Sequence, residues 1–144
     1  MHVSSKTVVD YCAQNNIDTL VCGYNQEWKQ SVHLHKKENQ KFVAIPYNMF
    51  INMLVYKCEN VGIKFILTEE NHTSGTSFID GESPTKDNYD KSRRKKRGLF
   101  ESNDGYVINA DVNGSYQIMK KVFPNELSNG IEDVGWHPLT TKVA

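Results

Sequence analysis

The chain has 144 residues, 38% of them hydrophobic, which suffices for one modest core and leaves no room for two independent domains. Seventeen Lys and Arg residues balance seventeen Asp and Glu residues, so any affinity for a polyanion must be local rather than global. No segment approaches the ~20 apolar residues of a membrane helix, and the first ten residues lack a leader pattern, so the sequence predicts a soluble, cytoplasmic chain with no membrane partner.

Ser4 and Ser5 are expected to cap a first helix whose apolar residues Val8, Val9 and Cys12 recur at three- to four-residue spacing and stop at Asn15-Asn16. Thr19 to Cys22 reads as a short buried strand ending at Gly23. A polar stretch from Gly23 to Gln40 follows, with Trp28, His33 and His35 interspersed. Pro46 is placed to open a second helix at its first turn. In that helix Phe50, Met53, Leu54, Cys58 and Val61 fall on one face, and Gly62 stands where a left-handed cap is expected. Ile63 to Leu67 is then a nearly continuous apolar run that suits a central, covered strand, with Thr68-Glu69-Glu70 at its end.

From His72 to Asp90 the composition is that of a long surface loop, and a basic run from Lys91 to Arg97 follows it. Leu99-Phe100 and Tyr106-Val107-Ile108 flank Asn103-Asp104-Gly105, the pattern of a hairpin. Asp111 stands just ahead of a helix that must end before Pro124. The alternation predicts an α/β chain in which a mixed sheet is flanked by helices and carries a long basic loop.

Few of these residues are suited to chemistry. A carboxylate at a helix start, as at Asp111, is oriented by backbone N–H groups and the helix dipole, and it can serve either as an ordinary cap or as a hard oxygen ligand for Mg²⁺. Glu69 and Glu70 close a strand; neighbours on a strand point to opposite faces, so one of the two can face a site while the other meets solvent. Lys91, Arg93, Arg94, Lys95, Lys96 and Arg97 can neutralise phosphates or simply be solvated. His33, His35 and Glu38 lack a companion ligand to complete a metal shell, and they read as solvent-facing. Cys12, Cys22 and Cys58, widely spaced in apolar surroundings, suit buried reduced thiols better than disulfides or zinc ligands.

Five segments in order carry a family resemblance: Val21-Cys-Gly-Tyr-Asn-Gln-Glu-Trp-Lys-Gln30, Asn39-Gln-Lys-Phe-Val-Ala-Ile-Pro46, Leu67-Thr-Glu-Glu-Asn-His-Thr-Ser74, Thr76-Ser-Phe-Ile-Asp80 and Ile108-Asn-Ala-Asp-Val-Asn-Gly114. Together they resemble the TnpB or OrfB family of insertion-sequence proteins, which is related to type V CRISPR effector nucleases. The resemblance implies a partial ribonuclease H-like (RuvC) fold over residues 1–136, with residues 72–97 standing where the family has a zinc ribbon and 137–144 forming a tail. It implies a metal-dependent DNA endonuclease associated with transposition, with DNA and a guide RNA as partners and Mg²⁺ as cofactor. Asp111 matches the family's last RuvC aspartate.

The family's second-motif Glu is absent after Val21-Cys22, and Glu70, or Glu69 beside it, is the expected substitute. The ribbon interval holds no cysteine, so no zinc is expected, and Gly75 stands where the closest subfamily has Lys. With no counterpart of the first RuvC aspartate, the chain resembles a C-terminal fragment of the nuclease. The alternatives are an inactive nucleic-acid-binding remnant of a decayed element and an inert α/β fragment.

Overall fold

The computed structural model describes residues 1–25, 37–96 and 98–126, with the side chains of 37–45 left aside. Trp28, His33, His35, the side chain of Glu38, Arg97 and Trp136 lie outside the described residues. The elements run α1 (His2–Gln14), β1 (Thr19–Tyr24), α2 (Lys37–Asn60), β2 (Lys64–Glu69), a 3₁₀ turn (Lys91–Arg93), β3 (Arg94–Lys96), β4 (Leu99–Glu101), β5 (Val107–Asn109) and α3 (Ala110–Val122). This is a mixed α/β chain with one parallel and one antiparallel sheet. It falls into two compact units, one reaching to Leu67 and one starting at Thr68. No helix among the described residues is long and apolar enough to cross a membrane.

In the first unit α1 begins at His2, with Met1 at its cap position and no side-chain cap. The expected cap by Ser4 or Ser5 is therefore not made. Ser5 is fully buried inside the helix; its hydroxyl lies 3.0 Å from the Met1 carbonyl and accepts a hydrogen bond from Lys57 Nζ at 2.7 Å. A serine one turn inside a helix satisfies its hydroxyl on the carbonyl four residues back, which here competes with capping. The chain leaves α1 at Asn16, whose φ of 54° is one that Asn tolerates.

Helix α2 begins at Lys37, so Pro46 lies within it instead of opening it. Proline inside a helix removes one backbone hydrogen bond and crowds the preceding turn. The helix continues past it because the following turns are held by burial: Ile51, Leu54 and Cys58 are buried at the spacing that turns one face inward. Val61, expected on that face, is exposed: α2 ends at Asn60, and Val61 belongs to the turn that Gly62 completes at φ 76°.

Strands β1 and β2 pair directly and are joined through α2, the crossover that parallel neighbours require. Lys64 N donates to Asp18 O at 2.8 Å to start the pairing. Among the described residues β2 has this one neighbour, and Leu67 is 44% exposed, so it is not the covered central strand its apolar run suggested. The core of this unit is Val9, Cys12, Ile51, Leu54, Cys58 and Ile63, with Leu20, Cys22 and Phe65 packed against it.

All three cysteines are free thiols in or against that core. Burial pushes the Cys22 thiol up to about 11, with Cys58 and Cys12 adding to the shift, and burial also raises Cys12 and Cys58. A raised folded pKa means that stability is fully present below the ordinary thiol value of 9.0 and is lost as pH rises from there through about 11. Thermal melts from pH 8 to 11 are therefore expected to show Tm falling above pH 9, and Cys22→Ser is expected to remove part of that fall. At pH 8 native Cys22 should alkylate at least tenfold more slowly than in urea, because the thiolate is the nucleophile.

The second unit contains the three-stranded sheet β3-β4-β5. The expected hairpin is present: Leu99 pairs with Asn109, Phe100 with Ile108 and Glu101 with Val107. Its turn is closed by Ser102 N to Tyr106 O at 2.9 Å, with Gly105 at φ 81°, a conformation that glycine adopts without strain. Phe100, Ile108 and Ala110 form a small core under Ile79.

Residues 72–90 have no helix or strand; Gly81 to Asp90 are largely exposed, as a surface loop would be, whereas Thr73, Thr76, Ser77 and Phe78 are buried. Polar side chains of α3 provide what its backbone needs. Asn113, completely buried, accepts from Phe78 N at 2.9 Å and donates to Thr76 O at 2.8 Å. Gln117 Nε2 donates to Glu82 O at 3.2 Å, and Lys120 Nζ reaches Gly81 O at 2.7 Å. Phe78 stacks on Tyr116 with ring centres 4.8 Å apart. Gly75 lies under the Tyr89 ring so closely that a Cβ there would come within 2.5 Å of it.

Candidate nucleic-acid interface

Asp111 occupies the first turn of α3, and its side chain is exposed. It is not the cap: Asn109 is, accepting from Asp111 N at 2.9 Å and Val112 N at 3.1 Å. The carboxylate is thereby left free beside the positive end of the helix, as an anion ligand or a metal ligand would be.

Glu69 and Glu70 sit at the other end of the same helix. Lys121 Nζ donates to Glu69 O at 3.0 Å and to Asn71 O at 2.6 Å, and Asn71 Nδ2 donates to the Glu69 carboxylate at 3.3 Å. Desolvation lowers the Lys121 pKa, opposed by the charges of Glu69 and Glu70. No group of three or more His, Cys, Asp or Glu able to hold a cation forms among the described residues.

The basic run divides by role. Lys91, Arg94, Lys95 and Lys96 are exposed on the 3₁₀ turn and β3, and Lys95 lies 3.8 Å from Glu101 on the neighbouring strand. Asp90 caps the turn by accepting from Ser92 N at 2.8 Å, and hydrogen bonding from the Ser92 side chain, then from its backbone, lowers the Asp90 pKa. Arg93 turns inward. Its guanidinium donates to Glu82 at 2.8 Å and to Asn103, and it lies 3.9 Å from Asp80. The bond it donates to Glu82 is the main cause of its raised pKa. It is therefore a structural contact rather than a free phosphate ligand.

Reading the sequence alone misses Asn113, Gln117 and this role of Arg93. The available signal was the spacing of Ala110, Asn113 and Gln117, one helical face that carries amides where apolar residues usually sit.

The Cas12f1-like TNB domain family matches residues 47–118, half of the chain. The chain belongs to this family. That places it among TnpB- and Cas12f-like proteins, as the segments quoted above anticipate. A chain in the cryo-EM structure of the Cas12f1–sgRNA–target DNA complex is similar at 20% identity with a TM-score of 0.56. The similarity covers 81% of this Cas12f1-like chain and 32% of that one, so this chain spans about a third of the length of its structural relative. At that identity the likeness concerns the fold. No curated protein matches the chain.

Proposed function

We propose that this chain is the C-terminal part of the nuclease domain of a TnpB/OrfB-like, RNA-guided DNA endonuclease linked to transposition, and that its own share of the work is contact with the nucleic-acid backbone. The observation that carries the reading is the family match over residues 47–118, which contains the exposed cations Lys91, Arg94 and Lys96. The related Cas12f1 structure is a complex with sgRNA and target DNA, which supports guide RNA and DNA as the partners. On this reading Asp111 and Glu70 are the ligands this chain contributes to Mg²⁺ in the whole nuclease, with the leading aspartate supplied from elsewhere in that protein.

Each phosphate neutralised on duplex DNA contributes roughly 0.9 to the slope of log affinity against log salt. Replacing Lys91, Arg94 and Lys96 together by Gln is therefore expected to reduce that slope by about 2.7 in an anisotropy titration of a short duplex. An unchanged slope would dispose of the interface.

A second reading is nucleic-acid binding without catalysis, carried by the exposed Lys91, Arg94 and Lys96 alone. An intact relative bearing the equivalent of Asp111→Asn distinguishes the two. Loss of cleavage with retained DNA binding supports the metal role, and unimpaired cleavage removes it.

A further inference from the structure

The second unit has only three buried residues in its apolar cluster among those described, which is little for a sheet, a helix and a long irregular segment. A charged node stands in the same unit. The Glu82 carboxylate accepts from Ser77 N at 2.8 Å and from Arg93 at 2.8 Å, and it lies 3.4 Å from Asn103 Nδ2. Asp80 accepts from Asn103 N at 2.8 Å. The Arg93, Asp80 and Glu82 side chains are 16%, 9% and 17% exposed, so these charges are largely withdrawn from water. Removing one member would leave the others buried and uncompensated.

We infer that Arg93 is a positioning residue: its planar guanidinium clamps the Asp80–Glu82 segment to the hairpin turn at Asn103, and so holds the basic strand that follows it as a fixed array. Three stretches remote in sequence meet at this one side chain, which is what a structural cross-link does. The fork matters because it donates to a carboxylate and an amide oxygen at once, whereas the compact ammonium of Lys lacks that planar geometry. Arg94 comes directly after it, and Lys91 stands two residues before, so the clamp fixes the backbone from which both project. The second clause of the inference rests on the nucleic-acid reading above; the clamp itself does not.

Amide hydrogen exchange on the full chain, alongside duplex-DNA titration, tests both parts. Arg93→Gln and Arg93→Lys are each expected to speed exchange at Ser77 and Asn103 by about tenfold or more, while an Arg94→Gln/Lys96→Gln control leaves those amides unchanged. A chelator should not alter protection at either amide in the wild-type chain, since the node needs no metal. Restoration of protection by Lys, or loss of protection on chelation, would overturn the clamp. Arg93→Gln is also expected to weaken duplex binding at least threefold although its side chain is turned inward. Faster exchange with wild-type affinity overturns the positioning clause. If the Arg94→Gln/Lys96→Gln control binds DNA as well as wild type, the nucleic-acid reading has failed and the exchange data still decide the clamp. Should Arg93→Gln fail to fold, Asn103→Ala removes one arm of the node without removing a charge. Its position-103 amide should lose protection, and full protection there overturns the inference.

Discussion

Replacing Asn113 by Ala is expected to destabilise the chain by about 3 kcal/mol, since it strands two buried backbone groups at roughly 1–3 kcal/mol each. The Phe78 N–H and the Thr76 carbonyl both end on this amide, which is completely buried. Water cannot substitute without a space of its own, and the cavity left by Ala is lined by those same two groups. Asn113→Asp is the sharper variant. It keeps the acceptor for Phe78 and turns the donor to Thr76 into a buried carboxylate oxygen facing a carbonyl, so it should cost at least as much as Ala at neutral pH. Urea denaturation of the three proteins measures both, and a midpoint shift worth less than about 0.5 kcal/mol for Ala would show that the segment is not held this way.

Leu54→Ala is expected to cost about 3 kcal/mol for a different reason. Leu54 is 1% exposed in the cluster with Val9, Cys12, Ile51, Cys58 and Ile63, and truncation loses transfer energy and leaves a cavity. Leu54→Met keeps the volume and should cost less than about 1.5 kcal/mol. Equal losses for Ala and Met in the same denaturation experiment would refute the packing account. Together the two substitutions contrast a unit held by apolar packing with one held largely by polar side chains on backbone.

That contrast also explains what could be read from residues alone. The strand at Thr19–Cys22, the later turns of α2, the glycine stop at Gly62 and the hairpin around Asn103–Gly105 all follow from apolar periodicity or local turn chemistry, and each is present. In the segment from His72 to Asp90 the surface loop is present from Gly81 onward, but Thr73, Thr76, Ser77 and Phe78 are buried although their composition looks like solvated loop. Their burial depends on Asn113 and Gln117, some 35 residues away, and no local window contains that dependence. Arg93 was misread for the same reason: within a basic run it is one cation among six, and only the fold brings Glu82 and Asn103 to it. The Pro46 expectation failed in the opposite direction, a strong local rule yielding to the burial of the turns that follow it.

The candidate site divides along the same line. Asp111 was legible as the start of a helix and as a match to a family motif, and the structure transfers the capping duty to Asn109. Glu69 and Glu70 were legible as a strand end.

Strand β3 has one further consequence. It is an outer strand of its sheet, and every side chain it carries is basic: Arg94, Lys95 and Lys96. An outer strand offers its unpaired backbone groups to any second strand that approaches, and like charges on both repel that approach. The cations that would meet phosphate are thus also expected to oppose edge-to-edge pairing between copies of the chain. Neutralising them trades affinity for colloidal stability, so charge-depleted variants should scatter light at concentrations where the parent stays clear.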